Sequence, residues 1–111
     1  MTANRRVILD PRVDRQIDDA YLWWAKNRSP EQAGRWYRGI STRIRALAST
    51  AERYGVAREN YRFPYEVRQM LVGRGRNITH RVLFTIRTDS IYVLAVRHVS
   101  QRLLKPEDLA E

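Results

Sequence analysis

The chain has no cysteine among its 111 residues, which excludes a disulfide scaffold, a CxxC zinc site and a thiol nucleophile. Its two histidines lack ligand-like spacing, so neither a structural metal nor a cofactor is expected. Long hydrophobic runs are missing too. The longest, Ile91 to Val96, has six residues, against the roughly 20 needed to cross a bilayer. At the N-terminus only Val7, Ile8 and Leu9 precede Asp10, which is too short for a secretory h-region. No membrane association is expected, and the cytoplasm is the expected compartment. Lysine is almost absent: 19 of the 21 cationic residues are arginine.

What is present suffices for one folded domain spanning residues 1–111. Hydrophobic residues make up 43% and charged residues 30%, enough apolar material to offset chain entropy. Twelve acids against 21 cations leave a net charge of +9. Arginine's planar fork binds phosphate or carboxylate bidentately and stacks on rings, so the expected partner is nucleic acid or an acidic protein segment.

Val7 to Leu9 read as an opening strand, stopped by Asp10 and Pro11. Asp10 is expected to cap a helix with Pro11 at its first position, and Val13, Ile17, Ala20 and Trp24 share one face to about Lys26. Ser29, Pro30 and Gln32 form a capping box that opens a second helix. Its apolar stripe is Ala33, Tyr37, Ile40, Ile44, Leu47 and Ala51. Glu52 to Pro64 loses periodicity and reads as a loop with aromatic anchors.

Beyond it lie three strands, Glu66 to Val72, Thr79 to Arg87 and Ser90 to Arg97, joined by Gly73 to Asn77 and by Thr88-Asp89. The predicted fold is α+β: an N-terminal strand and an antiparallel helical hairpin packed on a small twisted antiparallel sheet. Val82, Phe84 and Ile86 form the face covered by the hairpin, and Arg81, Leu83, Thr85 and Arg87 an open, partly basic face. Residues 103–111 are expected to be a short helical or flexible tail.

Between residues 68 and 97 six arginines face one acid, Asp89. Arg68, Arg74, Arg76, Arg81 and Arg97 are therefore the candidate surface for RNA or an acidic partner segment, able to stabilise a phosphodiester in its transition state. His98, ending the last strand beside Arg97, is a candidate general acid, whereas His80, facing away from Arg81, is read as a structural or surface residue. Glu66 is a candidate general base. Gly73 to Gly75 match no phosphate-loop spacing. Trp23, Trp24 and Trp36 lie on the hairpin and read as packing residues.

Several of these segments resemble the RelE/ParE superfamily of type II toxin-antitoxin toxins. They are Glu66-Val67-Arg68-Gln69, Gly73-Arg74, Arg81-Val82-Leu83-Phe84-Thr85-Ile86 and Leu94-Ala95-Val96-Arg97-His98, within a likeness running from about Val7 to Leu104. The resemblance implies a toxin held by a cognate antitoxin, an acidic and apolar segment of which covers the basic sheet face. It implies one of two activities. RelE-like members cleave ribosome-bound mRNA without a metal; here Arg81 and Arg68 would hold the scissile phosphate, Arg97 stabilise its charge, His98 act as acid and Glu66 as base. ParE-like members poison DNA gyrase without enzymatic chemistry. The mRNA endonuclease is the first expectation, gyrase inhibition the alternative, and a decayed toxin that only binds its antitoxin the third. The chain departs from some RelE-like cleavers in lacking a lysine-rich stretch and any tyrosine after Tyr92.

Overall fold

The computed structural model describes residues 5–74 and 76–109. Strand β1 (Arg6–Leu9) leads into helices α1 (Val13–Asn27) and α2 (Pro30–Thr50), followed by β2 (Arg68–Arg74), β3 (Asn77–Ile86) and β4 (Ser90–His98). Single 3-10 turns lie at Ala51–Arg53, Asn60–Arg62 and Pro106–Leu109.

Asp10 does not cap α1. Its Oδ1 accepts from the Arg12 amide (3.0 Å) and its carbonyl from the Val13 amide (2.9 Å), so it shapes the turn before the helix, and Pro11 lies in that turn. Val13, Ile17, Ala20 and Trp24 are the buried stripe of α1, as their spacing predicts. Ser29 caps α2 by accepting from the Gln32 amide (3.1 Å), but the reciprocal half of the box is not made, since Gln32 Oε1 has no hydrogen-bond partner. On α2 the stripe runs through Trp36, and Tyr37 stands exposed. Both positions satisfy the spacing from Ala33 to Ile40, so periodicity alone could not choose between the two aromatics.

The strand order is β1-β4-β3-β2. β2, β3 and β4 form the predicted antiparallel meander, while β1 pairs in parallel with β4, Arg6 opposite Ser90 through Leu9 opposite Val93. The sheet is therefore mixed, not wholly antiparallel: after the two helices the chain re-enters at the far edge as β2, and the meander returns to place β4 beside β1. Two bulges interrupt the ladders. One places Leu94 as an extra residue on β4, and the other places Thr79 as an extra residue on β3 beside Gly73. A Cβ at Gly73 would land on the Asn77 carbonyl oxygen, so that bulge requires glycine.

The helix-facing core joins the stripes of α1 and α2 to Val82, Phe84, Ile91, Val93 and Val96. Each such fully buried side chain contributes about 1.5–3 kcal/mol relative to exposure. The opposite face of the sheet is not open. Leu83, Leu94 and Ala95 pack there against Ala57, Phe63 and Val67 from the aromatic loop and Leu104 from the tail. The loop is stitched along β2 by hydrogen bonds from the Ala57 amide to the Val67 carbonyl (2.8 Å) and from the Gln69 amide to Gly55 (3.1 Å). These bonds occupy part of the free edge of β2.

Candidate functional site

The expected open arginine groove is overturned by where Arg81 and Arg97 lie. Arg81, 2% exposed, is clasped by Glu59, which is wholly buried. Nη1 and Nη2 donate to the two Glu59 oxygens at 2.8 and 2.9 Å, and Nη1 also donates to Gln69 Oε1 at 2.8 Å. Glu59 Oε2 accepts in addition from the Leu104 amide (2.9 Å), which ties the tail to the loop through the same carboxylate. Burial alone would raise the Glu59 carboxyl, yet the Arg81 and Leu104 hydrogen bonds outweigh it and hold it below the ordinary carboxylate value.

Arg97 sits opposite Arg81 across the β3–β4 ladder and is likewise buried. Its Nη2 donates to the Arg102 carbonyl (2.7 Å), the turn after β4. Burial draws this guanidinium below its ordinary value, with Asp108 opposing that shift. Two like charges share this buried face: Arg81 is held by the Glu59 carboxylate and Arg97 by the single Arg102 carbonyl, and the Nε of each has no hydrogen-bond partner.

Arg68 is half-buried and structural in its contacts. Nε donates to Glu66 Oε1 (2.8 Å), and Nη1 to the carbonyls of Glu52 (3.2 Å) and Tyr54 (2.6 Å), clamping the turn after α2 onto β2. Glu66 is exposed and is placed beside no histidine by any hydrogen bond or ion pair among the described residues. Arg76 is exposed in the β2–β3 turn, and the side chain of Arg74 lies outside the described part of the structure. Arg87 stacks 4.4 Å above the Tyr92 ring.

His98 lies on the other side of the sheet from Arg81 and Arg97, because neighbouring residues in a strand face opposite ways. Its ring is 5.1 Å from that of its register partner His80 and 4.9 Å from that of Trp23 on α1. His98 Nδ1 lies 3.1 Å from the Ser100 amide, which donates to it, and 2.7 Å from the Ser100 hydroxyl. His80 is buried among Trp23, Trp36 and His98, and burial, helped by His98, pulls its imidazole down to about 4. A cleft of about 200 Å³, lined in part by Gln16, Asp19, Trp23 and both histidines, opens there.

The predicted catalytic set is thus divided. Arg81 and Arg97 lie under the loop and tail, His98 lies against α1, and Glu66 and Arg68 lie at the start of β2. Among the described residues no group of three or more His, Asp or Glu is placed to hold a metal ion, and no helix is long and apolar enough to cross a membrane. Sequence reasoning missed Glu59, the partner of Arg81; a lone acid amid Arg58, Tyr61, Arg62 and Phe63 was the available signal. It also underrated the α2 arginines Arg35, Arg38, Arg43 and Arg45, all of which stand exposed.

Comparison with known proteins agrees with this frame. The family model described as ParE toxin of type II toxin-antitoxin system, parDE, matches residues 7–103. Among solved structures, the chromosomal ParDE toxin-antitoxin system from P. aeruginosa is similar, with a TM-score of 0.68 at 18% identity over 87% of this chain and 98% of that one. No curated protein matches the chain.

Proposed function

Because the chain belongs to the ParE toxin family of type II toxin-antitoxin systems, we propose that it arrests growth as a non-enzymatic inhibitor of DNA gyrase, held inactive by a cognate antitoxin. The observation that carries this reading is the bidentate Arg81–Glu59 pair in the core. A guanidinium chelated by a buried carboxylate has no free fork for a phosphate, and separating the pair would leave an unpaired charge on each partner. Metal-independent RNA cleavage needs cationic groups, an acid and a base around one phosphate. Here the candidates point to opposite faces of the sheet.

Exposed cations able to meet a large partner include a row on the hairpin. Arg35, Arg38, Arg43 and Arg45 stand exposed along α2, as do Tyr37 on the same helix and Leu22 on α1. A surface of arginine and isolated large apolar residues suits a protein interface, where arginine and tyrosine supply much of the binding energy.

Purified toxin, freed from its antitoxin, is tested on gyrase supercoiling of a relaxed plasmid and on ribosomes translating a defined mRNA. The expected result is loss of supercoiling, relieved by antitoxin, with the mRNA intact. New mRNA 5′ ends at A-site codons with supercoiling unaffected would overturn the reading in favour of an endonuclease. Absence of both effects and of any growth defect would mark a decayed toxin.

A further inference from the structure

A groove of about 310 Å³ runs between α2 and the end of β2. Trp24 and Trp36 line it, their rings stacked at 6.4 Å, together with Ile40 and Val72. Three buried polar atoms of its lining residues, Trp24 Nε1, Trp36 Nε1 and Gln32 Oε1, have no hydrogen-bond partner. Buried indole N–H groups usually find an acceptor, so two lacking one along one groove is an exception. Arg35 and Arg43 also line the groove, and no acid does. Arg43 reaches across to the Leu71 carbonyl (3.1 Å), whereas Arg35 is exposed and makes no ion pair among the described residues.

Gly39 gives an independent indication. It lies inside α2, where glycine is unfavourable relative to alanine. A Cβ there would meet nothing within 4 Å, so packing within the chain does not require its absence. Bare backbone beside an apolar, arginine-lined groove permits the close approach of another chain.

We propose that this groove receives the antitoxin, through a segment pairing a carboxylate side chain with an apolar one. The carboxylate meets Arg35 and Arg43, the apolar side chain lies on the Trp24–Trp36 floor, and the segment's main chain passes over Gly39. The net charge of +9 and the acid-free lining select an acidic segment over a basic or neutral one. The inference rests on the toxin-antitoxin reading, but it moves the antitoxin from the sheet face, which the loop and tail already cover, to the hairpin.

The test measures, by calorimetry, the affinity of full-length toxin for the antitoxin encoded beside it. Wild type is compared with Gly39→Leu, which fills the groove from an unobstructed position, with Arg35→Glu, and with Arg15→Glu as an exposed charge reversal on α1 away from the groove. Circular dichroism verifies that each variant is folded. The expected result is a loss of about tenfold or more for Gly39→Leu and for Arg35→Glu, against less than about threefold for Arg15→Glu. Tight wild-type binding with both groove variants unchanged would overturn the groove assignment and leave the antitoxin reading intact. No wild-type binding would overturn the antitoxin reading itself. Unchanged antitoxin affinity with loss of growth arrest would assign the groove to the toxin's target and overturn the proposal.

Discussion

Arg81 and Arg97 on the sheet and Arg35 and Arg43 on α2 are the same side chain in two environments. The sheet pair is buried, each guanidinium held by oxygens from the loop or tail. The helix pair is exposed, and neither residue has a carboxylate partner among the described residues. A buried arginine whose guanidinium is hydrogen-bonded by oxygens of its own chain fixes how segments distant in sequence meet, while an exposed one is available to another molecule. Six arginines against one acid between residues 68 and 97 mark the sheet as the basic region of the sequence. The fold takes up Arg68, Arg81 and Arg97 of that set in contacts within the chain.

The largest expected effect comes from breaking the sheet pair. Glu59→Ala leaves the Arg81 guanidinium buried without its carboxylate and should destabilise the protein by about 3–5 kcal/mol, measured by chemical denaturation. Arg35→Glu, by contrast, should leave stability within about 0.5 kcal/mol. A Glu59→Ala loss as small as that of the helix variant would erase the contrast between the two regions.

His80 sharpens it on the helix side of the sheet. Folded, this imidazole takes up its proton only near pH 4, against 6.5 for the ordinary group. The unfolded chain therefore binds more protons between those values, so stability is complete above about pH 6.5 and falls as the pH drops toward 4. The loss amounts to about 3 kcal/mol. Denaturation midpoints against pH should show it, and His80→Phe should flatten that part of the curve.

His98→Gln is expected to leave growth arrest unchanged on induction, since an inhibitor acting through the hairpin has no need of that imidazole. A folded His98→Gln protein that had lost its toxicity would restore the cleavage chemistry. The smallest effect belongs to Glu66, whose exposed pair with Arg68 is worth about 0–1 kcal/mol. Glu66→Gln should therefore change the denaturation midpoint slightly and toxicity not at all.

Much of the fold was legible because it depends on local period. Val13, Ile17, Ala20 and Trp24 predict the buried face of α1, and the alternation around Val82 and Phe84 predicts the face beneath the helices. The parallel pairing of β1 with β4 was not legible, because it joins residues more than 80 apart with no turn to specify register. Nor was the second core. Ala57 and Phe63 belong to a segment without periodicity and Val67 to the start of an expected strand, and only the folded chain shows them covering Leu83 and Ala95.

The arrangement of the candidate residues was hidden for related reasons. Counting acids between residues 68 and 97 left out Glu59, 22 positions before Arg81 and in direct contact with it. The split between Arg97 and His98 was available from the sequence, since adjacent strand residues face opposite sides. The groove beside α2 was hidden because Trp24 and Trp36 read correctly as packing residues, and their unpartnered indole nitrogens become visible only in the structure.

The most direct test of the central claim replaces the buried ion pair by two amides, Glu59→Gln with Arg81→Gln, and measures growth arrest on induction alongside antitoxin binding. The account predicts a folded protein that binds antitoxin and still arrests growth, because Arg81 acts on the fold and on no phosphate. A folded, antitoxin-binding double variant that no longer arrests growth would contradict it.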